Sequence, residues 1–337
     1  MKIFFFSTVF APSVGGIQKL AETLCNEFVA LGHEVRLATL TPGAPEESRS
    51  YEVVRKPTLR QFLDLLGWCD VHIQANVSLK YAFARLLRPR HFVYSHQNVY
   101  QDDDGTVDLR DRLKRVVAGY TPGIACSRYT ASKLHCAHTI FNTYDDAVFT
   151  TRTPWEERRR DLVFVGRLVS QKGCDGLLRA LGRLRSRGLT PDLTVIGDGP
   201  ERMMLEALAS SEGVAEQIRF AGTLQGRDLA AELNRHRIMI VPSCYEEPFG
   251  IVALEGLACG CLPIVSVRGG LVDAIGPHGF TFPNGDDAAL ADTMEAVLGD
   301  IAAARVCLSG VESHLDSCSA RRIAKRYIEV FEGLVDR

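Results

Sequence analysis

The feature that most constrains this chain is a repeated alternation of short apolar runs with amphipathic helical segments, which stops once near the middle and starts again. Lys2–Ser7 has the character of a strand. Ile17, Leu20, Ala21, Leu24, Phe28 and Leu31 then recur at helical spacing, Gly32 ends that helix, and Glu34–Leu40 forms the next strand. Val71–Ala75, Phe92–Ser95 and Ile124–Ser127 continue the series. Strand–helix–strand repeats of this kind predict a parallel sheet with helices on both faces. Thr150–Arg160 breaks the pattern with a polar, proline-containing stretch that suits a linker. The pattern resumes with strands at Leu162–Val165, Leu193–Ile196, Ile218–Ala221, Ile238–Val241 and Leu262–Val265, and a helix around Leu177, Leu178, Leu181 and Leu184. At 337 residues the chain exceeds one ordinary core and suits two. The expectation is an α/β fold of two Rossmann-like doubly wound domains, 1–150 and 161–318, with an amphipathic helix in 319–337. Ligands of such sheets bind beyond the carboxyl ends of the strands, so two domains in tandem predict a site in the cleft they face.

Composition narrows the function classes. Lys and Arg total 39 against 41 Asp and Glu, so the basic excess of a general nucleic-acid binder is missing. The longest early apolar run, Ile3–Phe6, is far short of the roughly 20 residues that span a bilayer. The N-terminus superficially resembles a signal peptide, but its apolar core is short and no small-residue cleavage site follows; it fits a buried first strand. The ten cysteines are scattered without a C-x-x-C pair, which favours reduced thiols in a cytoplasmic protein over zinc or disulfides.

Three segments carry potential chemistry. Phe10–Gly16 ends in Gly15-Gly16 just before a helix, where backbone N–H groups are able to approach a phosphate or a sugar hydroxyl. It is not G-x-G-x-x-G, which disfavours a dinucleotide site. Val165–Gly173 puts Arg167 just past a strand and Lys172 five residues later, two cations suited to a diphosphate. Val241–Gly256 leaves a strand and enters a helix that Gly250 opens, with seven residues between Glu247 and Glu255. One carboxylate suits the vicinal hydroxyls of a ribose and the other those of a hexose, while the helix N-terminus between them favours an anion.

This last segment resembles the E-x(7)-E signature, in its E-P-F-G-x(4)-E form, of family 4 retaining glycosyltransferases with the GT-B fold. Gly166-Arg167 with Lys172-Gly173 resembles the family's G-R-x(4)-K-G. Gly15-Gly16 resembles its N-terminal glycine pair, and Phe220-Ala221-Gly222 its turn beside the nucleotide base. Ser127-Arg128-Tyr129 and Ile140-Phe141-Asn142 resemble two of its N-domain segments. The resemblance implies that Glu255 binds the ribose and that Glu247, with backbone groups of Phe249, Gly250 and Ile251, holds the donor sugar. It implies that Arg167 and Lys172 neutralise the diphosphate, and that His96 is the cleft histidine near donor and acceptor. It further implies a nucleotide-diphosphate sugar and a hydroxyl acceptor as partners, retention at the anomeric carbon and no metal or other cofactor. The last helix of this fold crosses back onto the first domain.

The sequence departs from the family's pattern at Thr143, at Gly256 and at Cys259–Pro263, none of them a charged contact. Asp102-Asp103-Asp104 superficially matches the metal-binding D-x-D of the other large glycosyltransferase fold, but it lies in the wrong half and reads as a solvated loop. Arg110, Arg112, Lys114 and Arg115 share a helix with Leu109, Leu113, Val116 and Val117; the pattern would allow weak peripheral contact with anionic lipid at the inner membrane face, but Asp108 and Asp111 favour a solvated surface. Two rival readings are a nucleotide-sugar 2-epimerase of the same fold and an inactive nucleotide-sugar-binding subunit. The first gives no reason for the E-P-F-G-x(4)-E segment, and the intact Arg167, Lys172, Glu247 and Glu255 argue against the second.

Overall fold

The computed structural model describes residues 1–336 apart from Val14, 44–48, 88–90, 103–104 and the side chain of Arg85. It divides into two units, Met1–Thr143 with Ser317–Arg337, and Tyr144–Asp316.

Unit 1 is built on strands β1 (Lys2–Ser7), β2 (Glu34–Thr39), β3 (Glu52–Arg55), β4 (Val71–Ala75), β5 (Phe92–His96), β6 (Gly123–Ala125) and β7 (His138–Thr139). They form one parallel sheet in the order β3-β2-β1-β4-β5-β6-β7. The unbroken apolar run of β1 follows from burial on both faces. Ile3 and Phe5 enter the core on one side, with Leu20, Leu24 and Phe28 of the helix Gly16–Ala30. Phe4 and Phe6 enter the core on the other, with Phe62, Leu65 and Leu66 of the helix Leu59–Trp68.

The helix Ala320–Val335 belongs to unit 1 although the chain reaches it only after unit 2. Its buried residues Ile323, Ala324, Tyr327, Ile328 and Phe331 recur at helical spacing and pack in the same core as Phe28. The Tyr327 hydroxyl shares a 2.8 Å hydrogen bond with Oγ of Ser95 on β5, so the buried phenol is satisfied.

Unit 2 repeats the plan with β8 (Arg160–Val165), β9 (Leu193–Ile196), β10 (Ile218–Gly222), β11 (His236–Val241), β12 (Leu262–Ser266) and β13 (Phe280–Phe282). Their order is β10-β9-β8-β11-β12-β13, again all parallel. The chain works outward from β8 in one direction, returns, and continues from β11 in the other. The β8/β11 boundary is therefore the switch point, where open α/β sheets leave a crevice beyond the strand ends.

Two features differ from the sequence expectation. The unit boundary falls after Thr143, and Thr150–Arg160 is packed onto unit 2 instead of spanning between domains. Its polar residues have specific partners. Asn234 Oδ1 accepts the N–H of Arg152 at 2.6 Å, and Asn234 Nδ2 donates to the Thr150 carbonyl at 3.0 Å. Arg158 is wholly buried and donates to the carbonyls of His236 at 2.7 Å and Cys259 at 2.6 Å. The second difference is that β3, β7 and β13 lie at sheet edges and are mostly half-exposed, so no apolar run marks them.

Candidate active site

Two loops past the strand ends flank the β8/β11 switch point: residues 166–173 after β8, and 242–250 after β11. They touch backbone to backbone. The Cys244 N–H donates to the Gln171 carbonyl at 2.8 Å. Gly173 has φ +67, and a Cβ there would lie 2.0 Å from the Pro242 carbonyl oxygen, so this approach requires glycine. Gly250 has φ +98 and caps the helix Ile251–Ala258, with Leu271 where a side chain would go.

The approach brings Lys172 to Glu247. Lys172 closes the 3₁₀ turn Ser170–Lys172, and its Nζ donates to Glu247 Oε1 at 2.9 Å and to the Tyr245 hydroxyl at 3.3 Å. The ammonium also lies 5.2 Å from the centroid of the Tyr245 ring. Ser243 Oγ donates to the same Glu247 oxygen. The Glu247 side chain is 6% exposed and that of Lys172 is 25% exposed, so the carboxylate depends on its neighbours more than the ammonium does. Burial works to lower the lysine pKa, but the Glu247 charge and the contacts with Tyr245 outweigh it and hold the pKa above the ordinary lysine value. The Glu247 backbone is pinned as well: it bridges to Gly269, and its carbonyl accepts the Gly270 N–H at 2.7 Å.

The other expected residues of unit 2 surround this pair in sequence and element. Arg167 is exposed in the same loop as Lys172 and makes no ion pair among the described residues. Glu255 is buried in the helix that Gly250 caps, and Phe249 is buried just before it. Ile251 is the first residue of that helix. Gly222 ends β10, and its carbonyl accepts the Gly197 N–H at 2.8 Å.

Sequence reasoning missed Ser243, Tyr245 and Asn284. The first two stand beside the glutamate signature and could have been read as its supports. Asn284 lies far along the chain with no signal. Its Nδ2 donates to the carbonyls of Ser243 at 3.1 Å and Tyr245 at 3.3 Å, which fixes the loop that carries Glu247.

Unit 1 holds Gly15, Gly16 and His96. Gly15 and Gly16 are exposed at the start of the helix Gly16–Ala30. His96, expected near donor and acceptor, stands at the end of β5 with its side chain 0% exposed. The Tyr100 hydroxyl accepts the Val77 N–H at 2.8 Å and shares a 2.7 Å hydrogen bond with His96 Nδ1. Nε2 has no hydrogen-bond partner among the described residues and faces the backbone of Gly123. Burial lowers the pKa to about 4, so the ring is neutral at pH 7. Two residues of the aspartate triplet, Asp103 and Asp104, lie outside the described residues.

Among the described residues no group of three His, Cys, Asp or Glu side chains is arranged to hold a metal ion, and no helix is long and apolar enough to cross a membrane. A hollow of about 610 Å³ elsewhere in unit 2, walled by Trp155, Leu257, Val306 and Leu308, includes none of the residues above.

Two doubly wound units in tandem, each with the switch-point order, define the class as the GT-B fold. Residues 148–307, the greater part of unit 2, match the family described as Glycosyl transferases group 1. The chain is 36% identical to the glycogen synthase of Mycobacterium tuberculosis over 167 residues, 48% of this chain and 40% of that protein. It thus spans well under half the length of that relative. It is 28% identical to a GDP-mannose-dependent alpha-(1-6)-phosphatidylinositol monomannoside mannosyltransferase of Mycolicibacterium smegmatis, with 96% of each chain covered. The fold is shared with HepE of Anabaena, solved with UDP and glucose, at TM-score 0.79 and 18% identity over 99% of this chain and 100% of that one.

Proposed function

We propose that this chain is a retaining glycosyltransferase that moves a sugar from a UDP- or GDP-sugar to a hydroxyl acceptor, in the cytoplasm, for polysaccharide, glycolipid or glycosylated-metabolite synthesis. The observation that carries the reading is the Lys172–Glu247 pair at the switch point, beside an exposed Arg167 and a glycine-opened helix. An anionic leaving group needs fixed positive charge, and Arg167, Lys172 and that helix N-terminus, carried by the two loops at the switch point, would supply it. Glu247, held by Ser243, Lys172 and its own pinned backbone, presents a fixed acceptor for sugar hydroxyls, with backbone groups of Phe249, Gly250 and Ile251 beside it. Glu255 is assigned to the ribose, Gly222 to the turn beside the base, and the backbone of the exposed Gly15 and Gly16 to sugar or phosphate oxygens. The names of the matched proteins, one GDP-mannose-dependent and one solved with UDP, support a nucleotide-sugar donor.

In the proposed reaction the bond from the anomeric carbon to the diphosphate oxygen breaks, and its electron pair leaves with the diphosphate. The acceptor oxygen forms the new bond from the same face. Its proton passes to the departing phosphate oxygen, so no enzymic nucleophile is required. Removing one charge-stabilising donor commonly costs about 10²–10³ in rate, which is the loss expected for Arg167→Ala. A thermal-shift screen of nucleotide sugars finds the donor, because a bound ligand raises the melting temperature. Transfer with that donor is then followed by NMR, with and without chelator. Retained anomeric configuration and chelator-insensitive transfer support the proposal. Inversion refutes the retaining mechanism, and activity that chelator removes and magnesium or manganese restores refutes metal-free catalysis.

A further inference from the structure

We propose that the hollow of about 610 Å³ in unit 2 is a second ligand site, which takes a small, uncharged, mainly apolar molecule and through it acts on the helix that carries Glu255. Its size falls within the range of about 300–1,000 Å³ that small-molecule pockets occupy. Every wall residue lies within Tyr144–Asp316, so the hollow is complete in this unit. Trp155, Leu257, Val306 and Leu308 give it an apolar lining, as such pockets have. None of these residues has a part in the reaction proposed above.

Charge decides the class of occupant. Four charged residues line the hollow, Arg158 and Arg305 against Glu156 and Glu312. Arg305 and Glu156 form an ion pair with each other. Arg158 is wholly buried and spends its guanidinium on the carbonyls of Thr153, His236 and Cys259. Glu312 is exposed, in the first turn of the helix Val311–Ser317. Two charges of each sign cancel, so an ion would shed its water there with no net field to replace it. An uncharged apolar molecule has no such cost, and it removes apolar wall from water.

The hollow reaches the candidate active site through one helix. Leu257 belongs to Ile251–Ala258, which also carries Glu255 and which Gly250 caps at its other end. The last carbonyls of a helix have no partner within it. Here two residues of the hollow wall supply the partners: Thr151 Oγ1 donates to the Ala258 carbonyl at 3.1 Å, and Arg158 Nη2 donates to the Cys259 carbonyl at 2.6 Å. An occupant packed against Leu257, Thr151 and Arg158 therefore tightens the helix from its C-terminal end. The consequence for donor binding rests on the ribose role proposed above for Glu255.

The test uses the whole chain with Trp68→Phe, so that Trp155 remains of its two tryptophans. Titration with uncharged N-phenylnaphthylamine should quench Trp155 by energy transfer, with saturation. Its charged relative, anilinonaphthalenesulfonate, should bind about tenfold or more weakly. Ala302→Phe puts a ring into the hollow from an exposed wall position, and Val306→Asp, at a position 70% exposed, puts a charge on its apolar lining. Each should keep the melting temperature and weaken N-phenylnaphthylamine about tenfold or more. Hydrogen exchange of the amides in 251–260 should slow when this probe is bound. Absence of saturable transfer from Trp155, transfer that both variants leave unchanged, or equal or tighter binding of the sulfonate overturns the site. Unchanged exchange in 251–260 overturns its action on the helix. No nucleotide enters these measurements, so their failure is distinct from a failure of the donor reading.

Discussion

Breaking the Lys172–Glu247 pair from its two ends should have unequal effects. Lys172→Met leaves Glu247, 6% exposed, with the Ser243 hydroxyl as its remaining side-chain donor in the pair's network. Stranding a buried charge costs about 3–5 kcal/mol. The lysine side is a quarter open to water, so the low end, about 3 kcal/mol, applies. Glu247→Gln leaves the ammonium instead, on a side chain that is 25% exposed and still donates to Tyr245. Water takes over part of its solvation, and the cost falls to about 1–2 kcal/mol. The double variant removes both charges, so its loss should be smaller than the sum of the two. In a unit of this size each kcal/mol is about 2–4 °C in melting temperature. Urea melts of the four proteins measure the cycle. Equal losses from the two single variants, or strict additivity in the double, would refute the idea that the buried carboxylate is the dependent partner. The pH profile gives a second check. Because the folded-state pKa of Lys172 is raised, the pair's contribution is complete below the unfolded lysine value of about 10.4 and is lost only as pH rises through the higher folded value. Stability differences between wild type and Lys172→Met should thus be flat from pH 7 to about 10.

Other outcomes follow from features already described. If Glu255 accepts ribose hydroxyls, Glu255→Ala should weaken free nucleoside diphosphate and sugar nucleotide alike by about 10- to 150-fold in titration calorimetry, whereas Glu247→Ala should weaken only the sugar-bearing ligand. His96 is neutral when folded, with a pKa lowered to about 4, so stability is lost as pH falls from about 6.5 to 4, by up to about 3 kcal/mol for this ring. His96→Gln should flatten that part of the acid-unfolding curve, and an unchanged slope would show that the ring is not held neutral. Gly173→Ala should destabilise unit 2 and disturb the Lys172 position, because its Cβ would meet the Pro242 carbonyl; a melting temperature within error of wild type would count against the close approach of the two loops.

How much of this was legible in the sequence depended on what each residue is buried against. Strands with both faces covered announce themselves, as the run Ile3–Phe6 does, because every residue is apolar. Edge strands β3, β7 and β13 do not, because one side is left to water or loop. The burial of Arg158 is hidden in the sequence for a different reason. A polar stretch with proline reads as a linker, yet this arginine is wholly buried and satisfied by carbonyls, which no composition rule reveals. Arg167, Lys172 and Glu247 stand out in the sequence because they lie in loops just past strands. The Lys172–Glu247 contact itself depends on two loops 75 positions apart meeting at a glycine. His96 shows the limit of reading a strand-end residue: the sequence places it at the carboxyl end of an interior strand but does not say whether the ring points to solvent or into the core.

The route of the chain, from unit 1 through unit 2 and back, has a consequence for how it must be made. Unit 2 is one uninterrupted stretch, Tyr144–Asp316, and all its strands are available once residue 282 has been synthesised. Unit 1 has no such independence. One side of its β-sheet lacks Ile323, Tyr327 and Phe331 until those residues emerge, well after the second unit has its full set of strands. At about 5–20 residues per second, a nascent chain holds that apolar surface uncovered for many seconds, with Ser95 awaiting its tyrosine. A ribosome stalled before residue 320 should therefore display a protease-resistant second unit next to a protease-sensitive first one, and the half translated earliest should be the half completed last.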